Sequence, residues 1–253
     1  MKRNWLKLLL PLASALLGLL GLILRGGLYA YAVDEKGLLL SGHPLEAALW
    51  AVVALMAVLA VMDARKPEEE PSGGVEMFHP SVLAAMGNIL LACGILLTVL
   101  PNGFLLSPVE KLWRIAGLAS GPLLLYAAFC RALGKTPFFL SYLIPCLFFV
   151  LHLVAHYQGW CADPELQNYV FPFLSTIGLM FLAFYHSAAA VGRDNRRMNR
   201  FAAALTVFLC LVSLANTVYP ALYLGGAFWA LTGFGRKSRL PQNQKAGEDH
   251  ELS

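Results

Sequence analysis

The sequence predicts an all-α fold, a polytopic helical membrane bundle of about eight transmembrane helices with its N- and C-termini on the cytoplasmic side. Three observations carry that prediction. Of the 253 residues, 58% are hydrophobic and only 13% charged, about half the charged fraction of an ordinary soluble domain. The apolar residues fall in blocks of about twenty, the length a helix needs to cross a bilayer core. When the blocks are threaded through a membrane in turn, the lysines and arginines collect on one side.

Met1 to Lys7 opens the chain with Lys2, Arg3 and Lys7, and Leu8 to Leu24 then runs apolar to Arg25. Ala30-Tyr31-Ala32 has the small-x-small form of a signal-peptide cleavage site. The apolar run exceeds a usual signal core, however, and Ser14, Gly18, Gly21 and Arg25 share one face, as helix packing wants. A retained first helix is the better reading. Gly26 to His43 follows as a polar connector. Pro44 at a first-turn position opens the second span, over about 44–63. Asp63 to Phe78 is the most hydrophilic internal loop. His79-Pro80 starts the third span, to about Val99, and Pro108 precedes the fourth, over about 109–132.

Gly134-Lys135-Thr136-Pro137 marks a reversal, with Pro137 opening the fifth span at about 137–157. Gln158 to Glu165 is a short loop before the sixth span, about 167–191, and Arg193 to Arg200 is a basic hinge. The apolar block from 201 to 234 is too long for one crossing. Asn216 and Pro220 divide it into two, about 200–216 and 219–235. Residues 1–235 thus read as a single transmembrane domain, and the charged tail 236–253 as disordered.

With the N-terminus inside, only Arg25, Lys36, Lys111 and Arg114 fall outside, leaving 15 of the 19 Lys and Arg on the inner side. That bias follows the positive-inside rule at every loop and supports a multi-pass protein of the cell membrane. The net charge of +4 is therefore a topological feature, and no nucleic-acid partner is implied. Of five cysteines only Cys161 lies in a loop, so no disulfide framework is implied. The chain has no Gly-x-x-x-x-Gly-Lys-Ser/Thr loop, no potassium-filter motif and no regular arginine repeat. Gly117-Leu-Ala-Ser120-Gly121 only approximates an intramembrane serine motif.

The densest group of reactive side chains runs from His152 to Asn168, with His156, Trp160, Cys161, Asp163 and Glu165. On the outward-running fifth helix, Ser141, Pro145, Phe149, His152 and His156 share a face. Pro145 removes a backbone donor there, and such kinks often border cavities. Asp34, His43 and Glu46 from the first loop and second span, Glu110, Lys111, Trp113 and Arg114 from the start of the fourth, and Asn216, Tyr219 and Tyr223 from the last turn come to the same level. Three readings compete for the histidine pair. His43, His152 and His156 could ligate a metal, as in a metal-dependent membrane enzyme. Alternatively, His152 and His156 titrate beside a bound solute. In the third, they are structural and the chain is an accessory subunit beside a partner membrane protein.

Arg114 stands four residues after Glu110, a spacing that favours an ion pair, and shares a face with Gly117 and Gly121. It is an anion-binding candidate at the outer mouth. Thr206, Cys210, Ser213 and Thr217 form a milder polar seam, and Asn88 lies near mid-membrane in the third span. His186 lies about 28 Å down its helix, too far across the membrane to share a haem with His152. The reading that joins these features is a permease-like protein with an outward-facing polar cavity. Arg114, His152, His156, Glu110 and Tyr219 would contact a small, anionic solute, the lipid bilayer would be the surrounding partner, and no cofactor is specified.

Overall fold

The computed structural model describes residues 2–32, 43–65, 78, 80–100, 107–162, 167–193 and 195–234, with side chains for all but 2–8, 158–162 and 167–168. The expected disordered tail, the hydrophilic loop 66–77, His79 and the acidic turn with Asp163 and Glu165 lie outside the described residues. Among the described residues there are eight helices and no strand. They are α1 (Lys2–Tyr31), α2 (Pro44–Ala64), α3 (Val82–Val99), α4 (Pro108–Ala132), α5 (Leu140–Ala162), α6 (Gln167–Ala190), α7 (Arg196–Ser213) and α8 (Pro220–Thr232).

Helices α1 to α6 are long and apolar enough to cross a membrane. The chain is an integral membrane protein by this criterion, and its outward apolar side chains, such as Ile23 and Phe129, suit contact with lipid. The last two helices fall short of that length or composition. Helix α7 takes Arg196, Arg197 and Arg200 into its first turns, and α8 has 13 residues, spanning only about 20 Å. Both are instead packed among longer neighbours.

Helices α3 to α8 form a closed ring in which each packs on the next and α8 returns to α3. Helices α1 and α2 sit outside it against α7. Burial agrees with that division: 56% and 50% of the apolar windows of α3 and α4 are buried, against 28% and 17% in α1 and α2. Successive helices run in opposite directions. We call the end where α1 finishes the upper end. At the lower end Ser81 N donates to Arg131 O (3.2 Å), Ser187 Oγ to Phe139 O (3.1 Å), and Arg200 pairs with Asp63 at 2.8 Å.

Small residues set the tightest contact. A Cβ on Gly94 would lie 2.6 Å from Ala221 O, and one on Gly225 would lie 2.5 Å from Leu90 O. Helices α3 and α8 therefore approach backbone to backbone, the membrane route to strong dispersion without a hydrophobic driving force.

The proline starts hold at α2, α4 and α8, where Pro occupies the first turn. Four boundaries move. Helix α3 begins at Val82 with Ser81 as its N-cap, beyond Pro80, and α5 continues to Ala162, so residues 158–162 of the expected loop, Cys161 among them, are helical. Helix α5 begins at Leu140: Pro137 and Phe138 lie outside it, and Phe138 O receives Ser141 N. The expected connector from Gly26 does not start there, because α1 continues to Tyr31. Its last turns carry one tertiary hydrogen bond, Arg25 Nη1 to Val212 O (3.1 Å), and one within the helix, Nη2 to Tyr29 Oη (3.3 Å), and Leu28 and Ala32 are buried. Helical continuity places Arg25 and Tyr29 one turn apart on a common face. Those contacts outweigh the weak helix propensity of Gly26-Gly27.

Candidate functional site

The shared face of α5 forms as its spacing indicates. Ser141, Phe149 and His152 are fully buried, and His156, one turn nearer the upper end, is half-buried. Trp113 from the start of α4 and Tyr219 from the α7–α8 junction close over the two imidazoles. The rings of His152 and His156 lie 4.2 Å apart. Trp113 lies 5.6 Å from His152 and meets His156 edge-on at 5.1 Å. Tyr219 stands edge-on to both, at 5.4 and 5.3 Å.

The hydrogen bonds define a tautomer. His156 Nδ1 lies 2.8 Å from His152 O, and a carbonyl oxygen can only accept, so Nδ1 carries the proton. In the neutral ring Nε2 is then an acceptor, and Tyr219 Oη donates to it at 2.7 Å. His156 is thus held between its own helix and the far side of the ring. Trp113 Nε1 is in a different position: the residue is 5% exposed, and this donor has no hydrogen-bond partner among the described residues.

Glu110 and Arg114 do not form the ion pair that their spacing predicts. Ser107 N donates to Glu110 Oε2 (2.8 Å), and Glu110 N to Ser107 Oγ (3.2 Å), a capping box. Glu110 is at the third helical position, where its carboxylate satisfies an N-cap amide and faces the positive end of the helix dipole. Arg114, one turn on, is half-buried, while Gly117 and Gly121 on the same face are buried against Phe148 and Leu96.

His43 does not join the pair. Its Nδ1 accepts Leu45 N at 3.3 Å as the N-cap of α2, and α2 packs on α1 and α7 while α5 packs on α4 and α6. Among the described residues no three of His, Cys, Asp or Glu are grouped to hold a metal. The His43–His152–His156 metal set thus has no geometric support: the first histidine is committed to a helix end on another part of the bundle. Of the other polar neighbours, Asn216 is exposed, and Tyr223 is buried with its Oη 3.3 Å from Thr176 Oγ1 and from Pro172 O. Of the α7 seam, Ser213 links helices, its Oγ lying 3.1 Å from Ser175 Oγ, whereas Thr206 Oγ1 is buried with no hydrogen-bond partner among the described residues.

A second polar cluster fills the lower half of the ring, separate from the upper one. Trp229 Nε1 donates to Asn88 Oδ1 (3.1 Å), and Asn88 Nδ2 to Ala84 O (2.8 Å). The His186 ring lies 4.8 Å from Trp229 and 5.2 Å from Tyr142, with Nδ1 donating to Leu182 O at 2.8 Å. Arg131 covers the ring of Phe78, which stacks on Tyr142. Sequence reasoning reaches His186 and Asn88 as intramembrane polar residues. It places Trp113 at the level of the histidine pair but misses Tyr142, Arg131 and Trp229, for which a buried Arg at a helix end is the only local signal.

Comparison with protein-family models, with curated proteins and with solved structures finds no match to this chain.

Proposed function

We propose that the chain is a permease-like membrane protein that binds a small anionic solute at the upper end of the six-helix ring. The observation that carries this reading is Trp113 Nε1–H, a buried donor with no hydrogen-bond partner among the described residues, beside the two histidines. An indole N–H can only donate, so its natural complement is an acceptor atom such as an oxyanion. An unmet buried donor costs about 1–3 kcal/mol. Arg114, on the next residue of α4, brings the positive charge, and intramembrane charge is a functional pointer by default. Tyr219 and His152 hold His156 in a fixed tautomer, so its ring is oriented before a solute arrives. Under the positive-inside orientation this end faces out of the cytoplasm of a cell membrane.

The test is a thermal-shift screen of the purified protein in nanodiscs with acetate, phosphate, sulfate and chloride. A stabilising anion at about a hundred times its Kd contributes about 2.7 kcal/mol. The expected result is that at least one raises the melting temperature, and that Trp113→Phe and Arg114→Ala each diminish the rise. If no anion stabilises the wild type, or both variants respond as it does, the reading is refuted.

A further inference from the structure

The hydrogen bonds of His156 determine what a proton does on reaching the upper site. Nδ1–H donates to His152 O at 2.8 Å, so Nε2, which accepts from Tyr219 Oη at 2.7 Å, is the ring position that can take another proton. A hydroxyl both donates and accepts, so an Nε2–H meets the same oxygen at the same distance once the Tyr219 O–H turns away. No heavy atom has to move. Two donors then adjoin one imidazolium: the Tyr219 O–H, no longer given to His156, and the buried Trp113 Nε1–H, which has no hydrogen-bond partner among the described residues. Both complement an anion, and so does the new charge. His156 is half-buried at the upper end, so the proton enters from the side that the solute does.

His152 faces His156 from its own helix, the two rings 4.2 Å apart. From α4, Glu110 and Arg114 act on this corner electrostatically, with charges of opposite sign. Helix α6, also packed on α5, brings Tyr169 in its first two turns, and no charged side chain there among the described residues. The carboxylate and the guanidinium offset each other, so an arriving anion or proton decides the sign of the field. A proton on His156 thus draws the anion, and a bound anion draws the proton by the same factor. Resting on the anion reading given above, we propose that the proton is the second ligand of this site. One proton binds at His156 Nε2 with each anion, and the chain takes up its solute together with H⁺. The Tyr219 O–H···Nε2 bond breaks, an Nε2–H···Oη bond forms in its place, and the charge added is zero for a monoanion.

Calorimetry of the full chain in nanodiscs tests this, with acetate, chloride and sulfate as probes because they keep one charge state where histidine titrates. Titrations at about pH 7 in buffers of different ionisation enthalpy count the protons taken up. The wild type is expected to take up a proton with at least one of these anions, and to bind it at least about tenfold more tightly at about pH 6 than at about pH 8. His156→Gln is expected to lose both the proton uptake and the pH dependence, whereas Glu110→Gln, which keeps the capping box, is expected to retain them. ¹⁵N spectra of histidine-labelled wild type give the same answer without a substitution: at about pH 7 the anion is expected to convert His156 from the Nδ1-protonated ring to the imidazolium. Anion binding without proton uptake, uptake that persists in His156→Gln or disappears in Glu110→Gln, or a His156 spectrum that the anion leaves unchanged overturns the coupling and leaves the anion reading standing. No binding by any of the three probes overturns the coupling as well, while the thermal-shift series decides the anion reading by itself.

Discussion

Tyr219→Phe is the sharpest test of how the upper site is built. The substitution keeps the ring that stands edge-on to both histidines, at 5.4 and 5.3 Å, and deletes only the hydroxyl that donates to His156 Nε2 at 2.7 Å. His156 is half-buried, so water can replace part of what is lost. The net cost should then be close to that of one ordinary hydrogen bond, about 1 kcal/mol, or about 2–4 °C in melting temperature for a chain of this size. Tyr223→Phe is the matched control. Tyr223 is the more deeply buried tyrosine, but its hydroxyl makes only 3.3 Å contacts, and Thr176 keeps its own bond to Pro172 O at 2.8 Å without it. Its loss should cost less than about 0.5 kcal/mol. Burial alone orders the two variants the other way. Thermal unfolding in nanodiscs measures both, and ¹⁵N spectra of labelled histidine report the His156 tautomer, expected with the proton on Nδ1. A Tyr223→Phe more damaging than Tyr219→Phe, or a His156 protonated on Nε2 alone, would refute the reasoning.

Three further outcomes follow from the packing. Gly94→Ala puts a methyl 2.6 Å from Ala221 O and 3.0 Å from Leu222 Cα, so α3 and α8 must separate; a loss of about 1–3 kcal/mol is expected, whereas Gly26→Ala, inside α1 with nothing within 4 Å, should raise the melting temperature slightly, through about 0.4–1 kcal/mol of helix propensity. Trp229→Phe strips Asn88 Oδ1 of its buried donor and should cost about 1–3 kcal/mol, while Tyr142→Phe removes a buried hydroxyl that has no partner among the described residues and should cost nothing; the same unfolding assay compares them. His43→Ala should lower stability by less than about 1 kcal/mol, as loss of a helix cap does, and leave any anion response intact, because α2 does not pack on α5.

The legible part of the fold is the part written in local chemistry. Apolar block length and prolines at first turns place the helices, and the three-and-four spacing on α5 places Phe149, His152 and His156 on one buried face. Where local and tertiary forces disagree, the tertiary contacts decide. Arg25-Gly26-Gly27 has the look of a helix end, yet the bond of Arg25 to Val212 O and the burial of Leu28 and Ala32 keep α1 helical to Tyr31. Glu110 shows two local signals in conflict: its spacing to Arg114 suits an ion pair, but Ser107-Pro-Val-Glu110 is also a capping box, and the box forms. The site is less legible than the fold. Tyr142 and Trp229 lie in apolar runs where an aromatic carries no sign of its partner, and the hydrogen bond of Trp229 reaches Asn88 on another helix. Tyr219 is within reach of prediction because the break around Asn216 and Pro220 returns the chain to the level of His156.

The most direct test of the central claim is uptake into proteoliposomes. With the anion that most stabilises the protein supplied in labelled form, the wild type is expected to show saturable uptake above protein-free vesicles. Arg114→Ala is expected to reduce that uptake by about tenfold or more, the loss of one charge-assisted contact worth about 1.5–3 kcal/mol. Uptake no greater than in protein-free vesicles, or uptake that Arg114→Ala leaves unchanged, would contradict a permease whose upper site holds an anion.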